Sequence, residues 1–269
     1  MSKSYKSINE FLINKKNVIQ ILKDVRDLLF PRYFNSLSSE ATNANIFLKE
    51  RIYNTLTLEI NKIIKNKSLD LDSKKIALDF IHEIYEVLDI LKTDLEATFN
   101  GDPAATDYDE IIITYPGFFA TMVYRIANML YKKQIPYIPR IMSEYAHSKT
   151  GIDIHPGATI GPYFFIDHGT GTVIGETAII GTNVKIYQNV TIGALSLGRG
   201  QCLKGEKRHP TIGDNVTIYS GATILGKDTL INNNVTIGAN TFITSDVAEN
   251  TIAIMKATDI EYITKKTVK

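Results

Sequence analysis

The chain has a single cysteine, Cys202, among 269 residues, so no internal disulfide can staple it. Its charges nearly cancel, with 30 Lys and Arg against 29 Asp and Glu. That balance removes the broad field that draws a protein to nucleic acid or to an anionic membrane, and any charged site must be built locally. No apolar run approaches the roughly 20 residues that span a bilayer, and no amino-terminal stretch has the apolar core of a signal peptide. A reducing cytoplasm is therefore the expected setting, and the length suits two units with a buried core in each.

The first of these units is helical in pattern. Phe11, Val18, Leu22, Val25 and Leu29 fall at helical spacings between about Tyr5 and Phe30, and Pro31 ends the run. Ile52, Leu56, Ile60 and Ile63 make a second stripe within about Ala44 to Lys65. Ser73 can cap a third helix carrying Phe80, Ile84, Val87, Leu91 and Leu95, with Asn100-Gly101 and Pro103 as stop signals. Pro116 opens a fourth, carrying Phe119, Val123, Ile126 and Leu130, and a short helix from Pro139 to about Ser148 closes the unit at Gly151.

After Gly151 the period changes to six. Ile154, Ile160 and Ile166 are followed by Ile174, Ile180, Ile186 and Ile192, then by Ile212, Ile218 and Ile224, and after a one-residue slip by Ile231, Ile237 and Ile243. Six fits neither the 3.6-residue turn of a helix nor plain strand alternation; hexapeptide repeats make a parallel β-helix, three sides to a coil. Aliphatic residues point into the prism, and small residues accept the corner conformations. Two interruptions stand out: the eight-residue step from Ile166 to Ile174, and residues 194–210, which do not repeat. Interruptions of a solenoid are excursions on one face, where sites are often built. The predicted division is 1–150 helical, 151–248 β-helix with its excursion at 194–210, and 249–269 as a tail.

Three of the five histidines, His155, His168 and His209, lie in the repeat near its irregularities; His82 and His147 fall in helical segments and are read as interfacial or solvated. A histidine beside a carboxylate can act as a general base near neutral pH. Asp167 precedes His168, and Asp153 stands fifteen residues before it, close to one coil of roughly 18 residues, so Asp153 could reach it from the neighbouring coil. Arg208 could grip a substrate carboxylate in two-pronged fashion, or could simply be a surface arginine. Glu176 suits a solvated corner or a ligand group equally, and Cys202 reads as a spectator thiol.

Taken together, Gly-Asp-Pro-Ala-Ala from Gly101, Tyr-Pro-Gly-Phe from Tyr115, Tyr-Arg-Ile-Ala from Tyr124, Asp-Ile-His-Pro-Gly-Ala from Asp153, Ile-Asp-His-Gly-Thr-Gly from Ile166 and Lys-Arg-His-Pro from Lys207 resemble the serine acetyltransferases, which make O-acetylserine for cysteine biosynthesis. The resemblance covers roughly Asp94 to Thr244. It implies an α+β solenoid, an all-helical amino-terminal domain followed by a left-handed parallel β-helix, assembled as trimers that pair into hexamers through the helical domains. It also implies direct acetyl transfer from acetyl-CoA to the hydroxyl of L-serine, without a metal or an acyl-enzyme. On this likeness His168 is the general base and Asp153 its orienting acid. Asp102 and Asp167 hold the serine ammonium, Arg208 and His209 lie on its carboxylate side, and Glu176 walls the pocket. Acetyl-CoA lies near Gly193, Ala194, Gly221, Ala222 and Ala239. Relatives are commonly inhibited by L-cysteine in the serine pocket.

The chain departs from the pattern in three places. Ile252-Ala253-Ile254-Met255-Lys256-Ala257 replaces a Gly-Val-Pro-Ala segment, Asn128 replaces a histidine, and the chain ends Thr267-Val268-Lys269 where many relatives carry an isoleucine that docks into O-acetylserine sulfhydrylase. The last difference argues against that complex. Competing readings are an acyltransferase for another amino acid or a sugar, a zinc carbonic anhydrase using His155, His168 and His209, and a non-catalytic scaffold.

Overall fold

Seven helices lead into fourteen short strands among the described residues. The computed structural model describes residues 13–34, 41–196, 198 and 200–256. Tyr5, Phe11, Ala257 and the terminal Thr267-Val268-Lys269 lie outside them.

The helix α1 (Lys15–Leu29) starts where the Asn14 side chain accepts the Lys16 N–H, and Pro31 opens a single turn, α2 (Pro31–Phe34). The long helices α3 (Ala41–Lys67) and α4 (Ser73–Gly101) carry the expected stripes inward, with Ile52, Leu56, Ile60, Phe80, Ile84 and Leu91 at most 1% exposed. Each such side chain contributes about 1.5–3 kcal/mol by leaving water. The cap of α4 is Asp72 rather than Ser73. Its carboxylate accepts the N–H groups of Lys74 and Lys75, both at 3.0 Å, while the Ser73 hydroxyl donates to Asn61 at 2.8 Å. A helix absent from the sequence reading, α5 (Tyr108–Thr114), follows; its β-branched Ile111-Ile112-Ile113 run hides it, and the Asp107 cap on the Glu110 N–H at 2.8 Å starts it. The unit closes with α6 (Pro116–Lys132) and α7 (Ile138–Thr150), which Gly151 ends at φ +71°.

The chain then winds as a left-handed parallel β-helix of three sheets. Sheet A holds β1 (Asp153–Ile154), β4 (Val173–Ile174), β7 (Thr191–Gly193), β10 (Thr223–Leu225) and β13 (Phe242–Ile243). Sheet B holds β2 (Thr159–Ile160), β5 (Ile179–Ile180), β8 (Thr211–Ile212) and β11 (Leu230–Ile231). Sheet C holds β3 (Phe165–Ile166), β6 (Lys185–Ile186), β9 (Thr217–Ile218), β12 (Thr236–Ile237) and β14 (Ile252–Ala253). Register stacks like on like, Ile154 on Ile174 on Ile192 on Ile224, so each isoleucine of the repeat meets the one a coil away inside the prism. At the B/C edge Asn183, Asn215, Asn234 and Asn250 all take φ between 56° and 58°, and their side-chain amides bond in a ladder at 2.9–3.2 Å. Asparagine tolerates this left-handed region, and the ladder satisfies the amides from coil to coil. The coils run further than expected: β14 pairs with β12, Thr236 to Ile252, so the β-helix passes residue 248, and Ala253 closes the last strand among the described residues.

The two units share a buried joint. Arg125 of α6, 6% exposed, grips Asp94 of α4 with two N–H groups at 2.9 and 3.0 Å and donates to the carbonyls of Ile160 and Gly161, both at 2.7 Å. Asp94 in turn accepts the Phe164 N–H at 2.9 Å. Asn128, the departure from the family histidine, donates to the carbonyls of Pro156 (2.8 Å) and Ala158 (3.1 Å) and so pins the first coil to α6.

Candidate active site

The residues singled out by sequence gather at two edges of the prism, with sheet A between them. At the C/A edge the two extra residues of the step after Ile166 widen the corner: His168 (φ 55°), Gly169 (φ 78°) and Gly171 (φ 78°) are all left-handed. Gly169 has no room for a side chain, because a Cβ there would stand 2.5 Å from Ile152 Cδ1. The corner thrusts the His168 side chain outward, 72% exposed, with Nδ1 at 3.5 Å from Asp167 Oδ1.

Asp102, at the end of α4, faces this corner. Its carboxylate accepts the Tyr115 hydroxyl at 2.7 Å and the Ala104 N–H at 2.9 Å. Those two bonds, aided by the positive fields of His168 and Lys185, hold Asp102 below the usual carboxylate range. Burial and the Asp102 carboxylate push Tyr115 up to about 12, so its hydroxyl remains a donor. Lys185 of β6 ties the corner to α4 by donating to the Gly101 carbonyl.

Asp153 is placed differently from expectation. One coil carries it over Val173, not over His168, and among the described residues no hydrogen bond or ion pair links Asp153 to His168. Its carboxylate lies instead beside Glu144 and His147 at the end of α7.

The second group lies at the A/B edge, where β4 ends and the 194–210 excursion returns. Glu176 accepts the Tyr131 hydroxyl at 2.6 Å and pairs with the Arg208 guanidinium. Burial raises the Glu176 carboxyl, but the two hydrogen bonds outweigh it and hold the group below its ordinary value. Thr177, which the sequence reading did not single out, organises the return of the chain. Its hydroxyl accepts the N–H groups of Arg208 (2.9 Å) and His209 (3.1 Å) and lies 2.8 Å from His209 Nδ1. His209 Nδ1 also accepts the Thr177 N–H at 3.1 Å, so that nitrogen is unprotonated and Nε2 carries the ring's proton. Burial first, then Arg208 and Lys207, depress His209 to about 4, and the ring is neutral at physiological pH. Gly175 makes room for it, since a Cβ there would stand 2.1 Å from the imidazole. Burial also lowers His155, whose ring meets Tyr131 edge-on at 5.7 Å.

The residues expected along acetyl-CoA divide in the same way. Gly193 and Ala194 are at the A/B edge, while Gly221, Ala222 and Ala239 are at the C/A edge. Ala222 is 0% exposed and packs inside the prism, so within one chain it offers a ligand no surface, unlike its neighbour Gly221, which is half-buried. Beside the first pair, Leu195, Leu203, Lys207, Arg208 and Lys227 help line a cleft of about 340 Å³. The three histidines of the zinc reading divide too, His155 and His209 at one edge and His168 at the other, and they form no metal cluster among the described residues of one chain.

A left-handed β-helix that presents an exposed imidazole beside carboxylates at one edge and an arginine at the next defines a hexapeptide-repeat acyltransferase. No family model matches the chain. Over 255 residues it is 40% identical to a plasmid-encoded serine acetyltransferase of Synechococcus elongatus, covering 88% of this chain and 79% of the relative. The structure matches Entamoeba histolytica serine acetyltransferase isoform 3, solved with cysteine, at a TM-score of 0.81 and 35% identity over 91% of this chain and 84% of that one. A serine acetyltransferase solved with CoA matches at 0.59 and 25% over 88% and 98%. The chain belongs to the serine acetyltransferase family and is an acyltransferase.

Proposed function

We propose that the protein is a serine O-acetyltransferase that moves the acetyl group of acetyl-CoA directly to the L-serine hydroxyl. The observation that carries this reading is the company of His168: an exposed imidazole 3.5 Å from Asp167 and within the field of the Asp102 carboxylate. Two carboxylates suit the ammonium of an amino acid, whose positive charge a neutral sugar lacks. With the ammonium held by Asp102 and Asp167, the serine hydroxyl reaches His168. The imidazole takes the hydroxyl proton as the oxygen attacks the thioester carbonyl; collapse breaks the C–S bond, and the CoA thiolate recovers the proton. Asp153 orients and stabilises the imidazolium once the exposed His168 side chain turns toward β1 over bound substrate.

Arg208 and His209 take the serine carboxylate, with Glu176 as the wall that holds Arg208. Because they lie on another edge of the prism, they serve the His168 of a neighbouring copy, and the assembly is a trimer. Exposed apolar side chains on α3 and α4, among them Phe47, Leu58, Leu78 and Tyr85, support pairing of trimers through the helical domains. Acetyl-CoA then lies between copies, with Gly193 and Ala194 on one and Gly221, Ala222 and Ala239 on the next. L-Cysteine shares the ammonium and carboxylate of serine, so it competes at the same groups.

The test follows thiol release from acetyl-CoA against serine, homoserine, threonine and a galactoside. Serine is expected to be the preferred acceptor; a rate with serine equal to that with water removes the reading. His168→Ala lowers turnover by at least about 10²-fold, the usual loss with a general base.

A further inference from the structure

One group of ligand-type side chains lies outside both edges. Glu144 and His147 stand three residues apart on one face of α7, in its last two turns. Gly151, left-handed at φ +71°, turns the chain back, so that Asp153 at the start of β1 returns against that face. Each of the three offers a ligand atom, and these atoms all lie within 4.8 Å of one another, half-buried with access to water.

We propose that Glu144, His147 and Asp153 bind a divalent transition cation of the zinc class, and that the bound ion withdraws Asp153 from His168. The second half rests on the transferase reading; the binding does not. One imidazole and two carboxylates suit zinc, cobalt or nickel, whereas magnesium and calcium favour oxygen-only shells and copper(I) favours sulfur. Closing the donors to the about 3.3 Å separation of a tetrahedral zinc site requires only side-chain movement, and the remaining positions go to water.

Two further observations favour a cation at this place. The cluster lies beside the last turns of α7, the end at which the helix dipole is negative. The Asp153 carboxylate has no hydrogen-bond donor or ion-pair partner among the described residues, so a metal would displace only water from it. Arg140 opposes the ion, because its guanidinium pairs with Glu144 Oε1 at 2.5 Å. That pairing leaves Oε2 facing His147 Nδ1 at 3.3 Å, and Arg140, 47% exposed, is screened by solvent. It acts as the outer hydrogen-bond partner that ligating carboxylates usually have.

The full chain, stripped with EDTA and carrying Cys202→Ser so that the exposed thiol cannot compete, is titrated with zinc by calorimetry and with cobalt by visible absorption. One ion per chain is expected. Glu144→Gln, which preserves packing, and His147→Ala each weaken zinc by at least about tenfold, as loss of a ligand or its support does. Thermal melts confirm that both variants fold. Equal isotherms for the parent and the two variants, or no binding to the parent, overturn the site. Zinc at saturating level should also slow acetyl transfer by the parent and spare His147→Ala; binding with undiminished transfer overturns the link to Asp153.

Discussion

Tyr115 and His209 show how single side chains set charge in this molecule. The Tyr115 hydroxyl is the leading cause of the depressed Asp102 carboxyl, and a carboxylate that stays ionised is what an ammonium needs. Tyr115→Phe removes that donor, so Asp102 protonates at higher pH. The acid limb of kcat/KM for serine should therefore shift upward, with kcat at neutral pH changed much less; an unmoved limb in the pH profile would detach Tyr115 from this role. His209 works in the opposite sense. Its folded pKa of about 4 lies below the ordinary 6.5, so the folded state refuses a proton that the unfolded state accepts. Stability is unaffected above about 6.5 and falls as pH drops toward 4, by about 3 kcal/mol in all. Denaturant titrations across that window should show the fall in the wild type and a shallower one in His209→Gln.

Among the elements, the β-helix was nearly transparent in sequence. Its isoleucines occupy identical positions on successive coils, so a six-residue count suffices to find the strands that Ile154 through Ile243 enter. The count missed β14, because Ala253 and not an isoleucine takes the inward position, and it missed α5, where Ile111-Ile112-Ile113 imitates a strand and only the Asp107 cap reveals a helix. Local pattern likewise singled out His168, Asp167 and Arg208 as candidates, yet the joint between the units was invisible to it, because Asp94 and Arg125 are paired only by tertiary packing. Gly117 belongs to that joint. A Cβ on it would stand 2.2 Å from the Ile166 carbonyl oxygen, a backbone atom that cannot turn aside. Gly117→Ala must lever α6 away from β3 between Tyr115 on one side and Asp167 on the other. The expected result is a loss of about 1–3 kcal/mol on melting, the usual cost of overpacking, together with a raised KM for serine. A variant with wild-type stability and KM would show that the approach of α6 to β3 is not needed.

At the scale of the whole molecule, the separation of the two groups by sheet A is the decisive fact. His168 stands at one end of β4 and Glu176 at the other, so sheet A separates Arg208, which pairs with Glu176, from the corner where we propose that Asp102 holds serine. Spacing along the sequence could not disclose this, since the eight-residue step and the 194–210 excursion look equally near any given coil. If the site is completed between copies, two defects in different chains should cancel. Co-expressed His168→Ala and Arg208→Ala chains form mixed trimers in which an Arg208→Ala copy supplies an intact His168 corner and a His168→Ala copy an intact Arg208 corner. Random assembly around a three-fold axis makes about one junction in four fully wild type. The mixture should then recover about a quarter of wild-type activity, while each variant alone stays near its own low rate. Separately purified variants that do not exchange subunits should show no recovery, which separates repair within an assembly from a simple sum of residual activities. Activity of the co-expressed mixture no greater than that sum would mean that each chain uses its own two edges independently, and the shared-site assembly would have to be abandoned.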